Sequence, residues 1–175
     1  DRASRRRSAL ADGFTKWFAN RHPDWTDIAV AIDRPQPGLS SDTLMLEVES
    51  AVTSERYVAR LPPLGETVFP DYDLARQAKV QNAVAAHGIP AAQVVALEID
   101  PGWIGASFAL MPRVTGHTLT TNPPYLTSGW LAEQSAEKQR AVIERFVSTL
   151  AAINRLPVED LGLCDLTGGG PTLPG

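Results

Sequence analysis

Cysteine is almost missing from this chain: Cys164 is the single one in 175 residues. One thiol permits no internal disulfide and no cysteine metal cluster, and this usage suits a reducing cytoplasm. Cys164 sits in LGLCDL with no histidine beside it, so it reads as a packed or partly exposed thiol rather than a nucleophile. Histidine is scarce as well. His22, His87 and His117 are scattered, and no two have metal-ligand spacing such as HExxH. Each reads as a surface or capping side chain. Long apolar runs are missing, so no segment is expected to span a bilayer as a helix. An excess of positive charge is missing too. The net charge of −4 gives no support for a nucleic-acid partner. Neither GxSxG nor GxGxxG occurs.

What remains is ordinary globular material. Hydrophobic residues make up 43% and charged residues 21%, enough for one domain or one and a half. The chain starts at Asp1 without a methionine, which is read as a piece of a longer product. Arg5, Arg6 and Arg7 are followed by Asp12, Gly13 and Lys16 instead of an apolar stretch. A twin-arginine signal is therefore not expected, and the run reads as a solvated basic face at a helix start.

Leu10, Phe14, Trp17 and Phe18 have helical spacing within Ser4 to Asn20. Gly13 weakens that helix slightly, and Pro23 and Asp24 break the pattern. Ile28 to Asp33, Thr43 to Glu49 and Tyr57 to Leu61 read as three strands of an antiparallel meander. Pro62-Pro63 ends the third. Asp71 is the expected N-cap of a helix from Tyr72 to about Ala86, which Gly88 and Pro90 terminate. Val94 to Ile99 and Ser107 to Met111 read as two more strands. Ser135 caps a helix from Ala136 to about Arg155, with an apolar stripe of Val142, Phe146, Leu150 and Ile153. The tail at 168–175 is linker-like. The expected class is α+β: a five-stranded antiparallel sheet with one helix inserted after the third strand.

Three places on this scaffold could carry binding chemistry. The segment GLSSDT (38–43) joins two strands. Gly38 permits close backbone approach, while Ser40, Ser41 and Thr43 offer hydroxyl and N–H groups. The plainer reading is a hairpin loop. Arg60 closes YVAR (57–60) and could present a bidentate fork to phosphate. The plainer reading is a solvent-facing arginine on a half-buried strand. Met111-Pro112-Arg113-Val114 leaves a buried strand for a Gly-ended connector, FALMPRVTG (108–116). Pro112 lacks an N–H but keeps its carbonyl, and Val114 can donate. The plainer reading is a strand running into a turn at Thr115-Gly116.

Taken in order, these segments resemble the small lobe of the aminoglycoside phosphotransferase-like (choline kinase-like) family of small-molecule kinases. The resemblance rests on GLSSDT, YVARLPP (57–63), LARQAKV (74–80), GIPAAQVV (88–95) and IGASFALMPRVTG (104–116), and covers roughly Ile28 to Leu163. It implies ATP with Mg2+ as cofactors. It implies that the Gly38, Ser40, Ser41 and Thr43 loop covers the phosphates and that Arg60 contacts the α- and β-phosphates. Leu46 and Val58 would roof the adenine, Met111 would back it, and Pro112, Arg113 and Val114 would grip its edge. The family's helix carries an acid that pairs with the strand cation; Gln77 stands there, with Asp71 and Asp73 one turn earlier. The family's H-G-D loop and its metal-binding Asp have no match before Gly175. No catalytic residue is carried over, and metal ligands are expected in a missing lobe.

The implied organisation is an N-terminal helix at 1–22, a kinase-like nucleotide-binding lobe at 23–116, and the linker and first helix of an incomplete large lobe at 117–175. The expected partners are a nucleotide, a small-molecule acceptor and the missing C-terminal lobe of the same product, with no nucleic acid and no membrane. Two other readings stay open. One is a non-catalytic, pseudokinase-type nucleotide module, which Gln77 favours. The other is an α+β interaction domain with no nucleotide site.

Overall fold

The computed structural model describes residues 2–33, 41–63, 72–119, 123–157, 159 and 161–163. Gly38, Ser40, Asp71, Cys164 and the 168–175 tail lie outside the described residues. Helix α1 spans Arg2–Arg21, followed by strands β1 (Ala29–Asp33), β2 (Asp42–Glu49) and β3 (Ser54–Leu61). Helix α2 (Leu74–Ala86), strands β4 (Ala96–Glu98) and β5 (Phe108–Pro112), and helix α3 (Ala136–Asn154) complete the order. The strands form one five-stranded sheet in the order β1-β2-β3-β5-β4. Every neighbouring pair is antiparallel. This is the α+β arrangement that the sequence pattern predicts.

Strand alternation sorts the side chains onto two faces. Leu44, Leu46, Val48, Ala59, Leu61, Ala96, Phe108 and Leu110 form a buried cluster with Leu10, Phe14, Trp17 and Phe18 of α1. The aromatic rings meet edge-on: Phe14 and Trp17 lie 5.0 and 5.2 Å from Phe108, centroid to centroid. Each large side chain buried this way contributes roughly 1.5–3 kcal/mol, so α1 is an integral layer of the domain. Trp17 buries its ring and donates its indole N–H to Glu98 Oε2 at 3.0 Å. Gly13 has a packing reason that its helix propensity conceals. A Cβ there would lie 2.3 Å from the Trp103 carbonyl oxygen and 2.9 Å from Ile104 Cγ2.

Helix α2 starts later than the sequence pattern predicts. Asp73 is its cap: its Oδ1 accepts from Arg76 N–H at 2.8 Å, and its carbonyl accepts from Gln77 N–H at 3.1 Å. Gly88, at φ +81°, ends the helix by donating to Ala85 O at 3.0 Å. Strand β4 is shorter than expected because another group holds the backbone of Val94. Val94 N–H donates to Asn82 Oδ1 at 2.7 Å, and Asn82 Nδ2 donates to Val94 O at 3.0 Å. Those two bonds tie α2 to the approach of β4 and leave Val94 outside the ladder.

The chain divides into two compact units, Asp1–Asn82 with Ala92–Arg113, and Ala83–Ala91 with Val114–Gly175. The first holds α1, the sheet and most of α2. In the second, Ser135 Oγ accepts from Lys138 N–H at 3.3 Å and caps α3. No residue of α3 is buried; Phe146, Leu150 and Ile153 are 64%, 50% and 40% exposed. The rings of His117 and Trp130 stack at 4.5 Å in the loop before it. No helix among the described residues is long and apolar enough to cross a membrane.

Candidate functional site

The sheet face turned away from α1 brings most of the candidate residues together. The β2–β3 register sets Thr43 opposite Arg60 and Met45 opposite Val58. The β3–β5 register sets Arg60 opposite Ala109 and Val58 opposite Met111. Two cross-strand rows result, Thr43-Arg60-Ala109 and Met45-Val58-Met111, and both are on this face by parity. Thr43, Met45, Val58 and Arg60 are half-buried, while Ala109 and Met111 are buried. Gln81 of α2 reaches Met111: its Nε2 lies 3.6 Å from Met111 Sδ and also donates to the carbonyl of Ala92. The helix is thereby held on this face, at the end of β5.

Arg60 is the one cation of these two rows. Its Nε is buried and has no hydrogen-bond partner among the described residues. A buried donor left unpaired costs roughly 1–3 kcal/mol. The cost is offset wherever an acceptor arrives. No acid meets Arg60 among the described residues. Gln77 is half-buried one turn into α2, and no hydrogen bond joins it to Arg60. The Asp73 carboxylate is engaged as the helix cap. The arrangement is a partly enclosed guanidinium on an otherwise apolar and hydroxyl-bearing surface, suited chemically to an anionic group with an apolar ring beside it.

Leu46 requires a correction. It is fully buried against α1, in register with Tyr57. It faces the opposite side of the sheet from Val58 and cannot roof the same site. Met45 stands in its place, directly opposite Val58. The signal was present in the alternation of TLMLEVE, where Glu47 and Glu49 mark one parity as the open face and Thr43 and Met45 share it. Gln81 was also missed. Nothing in a helical pattern singles out a glutamine whose partner is 30 positions away.

Ser41 is 8% exposed at the start of β2, next to Asp42 at 6%. At the other end, Pro112 closes β5 opposite Tyr57. The ladder bond falls on its neighbour, Arg113 N–H to Arg56 O at 2.9 Å, so the N–H that proline lacks is not required there. The Arg113 side chain stays near the same edge, with Nη1 3.9 Å from Glu47 Oε1, and Arg56 Nε is 3.8 Å from that oxygen. These are exposed pairs of small energetic worth. Val114 is 73% exposed, and its N–H bonds to no backbone group among the described residues. Among the described residues, no three His, Cys, Asp or Glu side chains come together to hold a metal ion.

Comparison with known proteins bears on this geometry. The pattern that defines the phosphotransferase enzyme family matches residues 32–173. The Arabidopsis thaliana protein named "Probable acyl-CoA dehydrogenase IBR3" is 28% identical over 127 residues, covering 72% of this chain and 15% of that protein. The crystal structure of a "putative aminoglycoside phosphotransferase" from Ralstonia eutropha JMP134 superposes with a TM-score of 0.58 at 21% identity. It covers 87% of this chain and 40% of that one, and at this identity the likeness establishes the fold alone. The chain spans less than half the length of either protein.

Proposed function

The chain belongs to the phosphotransferase enzyme family, and from that premise we propose that it is the nucleotide-binding portion of a kinase using ATP. The kinase would pass the γ-phosphoryl group to a hydroxyl of a small molecule, aminoglycoside-like or other. The observation that carries the reading is the unpaired, buried Nε of Arg60. A phosphate oxygen is an acceptor that satisfies it with charge assistance. Bound on this face, ATP would supply the transferable phosphoryl group and Mg2+ would neutralise its developing charge.

The chain's own residues bind and orient. Arg60 fixes the α- and β-phosphates, with the Thr43 hydroxyl across the strand pair and Ser41 at the head of β2. Met45, Val58 and Met111 supply an apolar surface for the adenine ring. The main chain from Pro112 to Val114 reads the adenine edge. The catalytic base and the magnesium ligands come from another part of a longer protein. The unburied apolar stripe of α3, Phe146, Leu150 and Ile153, is where that part packs. Most of the acceleration then comes from positioning and charge stabilisation.

A second reading, a non-catalytic nucleotide-binding module, is favoured by one observation: among the described residues no acid pairs with Arg60, and Gln77 stands where one is expected. Calorimetric titration with ATP–Mg tests the shared part of both readings. Binding that weakens about tenfold in Arg60→Ala, one or two charge-assisted hydrogen bonds in size, supports it. Absence of binding, or binding indifferent to Arg60, refutes it. Phosphoryl transfer by the longer protein separates the kinase from the silent module.

A further inference from the structure

The other face of the sheet carries a cavity that the phosphotransferase reading does not use. It has a volume of about 300 Å³ and lies between the first turns of α1 and the segment leading into β5. Leu10, Leu61, Trp103 and Ile104 form its walls. Small residues leave the space open: Ala9 on the helix, and Gly105 and Ala106 opposite. One turn further along α1, Gly13 closes the same groove against the Trp103 carbonyl. The void is therefore bounded by tight packing and is not a general looseness of the helix.

Arg6 stands at the rim of this apolar cavity, exposed, with no ion pair among the described residues. Arg5 and Arg7 flank it, and both are exposed. The first turn of α1 holds no acidic residue. Along the whole helix, Asp12 is the sole acid against Arg2, Arg5, Arg6, Arg7, Lys16 and Arg21, in a chain whose net charge is −4. The positive end of the helix dipole adds to the field of these arginines instead of opposing it. An anion at the rim relieves that accumulation, and an apolar tail fills the cavity below.

The geometry points to a binding site for a small amphipathic carboxylate, its medium-length alkyl tail between Leu10, Leu61 and Trp103 and its carboxylate on Arg6. The volume lies at the lower end of the ~300–1,000 Å³ typical of ligand pockets, which selects a single short chain. The site is on the opposite sheet face from Arg60, so its occupancy is separable from nucleotide binding.

Nuclear magnetic resonance of the whole chain tests this, titrating octanoate below its micellar range, with octanol as the uncharged control. The expected result is saturable shifts of the Trp103 indole and the Gly105 and Ala106 amides. Octanoate should bind about fivefold more tightly than octanol, the size of one exposed charge pair. Arg6→Gln should bring octanoate to the octanol level and leave octanol unchanged. Ala9→Leu, which keeps a strong helix former and fills the opening, should remove binding of both. No saturable shift at these three residues overturns the proposal, as does equal octanoate affinity in Arg6→Gln. Shifts seen only with phosphatidylglycerol vesicles overturn it in favour of a membrane-facing helix.

Discussion

Replacing Arg60 by methionine should move stability and ligand response in opposite directions. Among the described residues the Arg60 Nε is buried without a partner, which for a fully enclosed donor costs roughly 1–3 kcal/mol. Arg60 as a whole is half-buried, so the low end, ~1 kcal/mol, applies. Methionine keeps an unbranched stem between Thr43 and Ala109 and has no donor to satisfy. Without nucleotide, Arg60→Met should therefore equal the wild type or exceed it by up to ~1 kcal/mol, a rise of ~2–4 °C in Tm for a chain of this size. With ATP–Mg at one hundred times its Kd, the wild type gains ~2.7 kcal/mol by mass action. Tenfold weaker binding in the variant cuts that gain to ~1.4 kcal/mol at the same concentration. Urea denaturation with and without ATP–Mg reads both quantities. The reasoning fails if the variant loses more than ~1 kcal/mol without nucleotide, because Arg60 would then hold a structural partner. It fails equally if the ATP-dependent gain is unchanged, because Arg60 would not meet the phosphates.

Three further tests probe the packing on the two faces of the sheet. Leu46→Ala should cost about 2–5 kcal/mol as a core truncation, whereas Met45→Ala, half-buried on the other face, should cost less and weaken ATP binding more; paired denaturation and calorimetry compare them. Gly13→Ala improves helix propensity by ~1 kcal/mol yet sets a methyl 2.3 Å from the Trp103 carbonyl oxygen, so denaturation should show a net loss of about 1–3 kcal/mol, and a net gain would contradict the packing of α1. Burial, with a smaller contribution from Glu55, raises the Tyr57 phenol above its ordinary 10.0. The stability it carries is full below about pH 10 and lost as pH rises through the higher folded value. Tyr57→Phe should flatten that alkaline loss in urea midpoints measured at about pH 8 and pH 11, and an unchanged slope would count against the assignment.

The order of elements was readable because local chemistry writes it. Apolar periodicity, Pro62-Pro63, Gly88-Ile89-Pro90 and Ser135 punctuate the chain where the structure begins and ends its strands and helices. The errors at element ends have local causes that involve distant atoms. Strand β4 loses Val94 to the Asn82 side chain, and the α2 cap is Asp73 because its carboxylate reaches Arg76 N–H. The site was readable in part. Val58, Arg60 and Met111 come together on one face through register, as their parity along each strand allows. Leu46 lies on the opposite side from Val58, as the parity marked by Glu47 and Glu49 allows, and its hydrophobicity alone does not reveal this.

By itself the sequence determined the α+β class, the five strands, the helix after the third and the family, because strand parity, turn residues and motif order are properties of neighbours along the chain. Tertiary structure alone decided which face of the sheet α1 covers, that Gly13 is there for a close backbone approach, and that Arg60 keeps a buried nitrogen without a partner. Those outcomes depend on contacts between residues far apart in sequence. Alternation separates the two faces of a strand, but which element covers a face is decided only when that element packs on it.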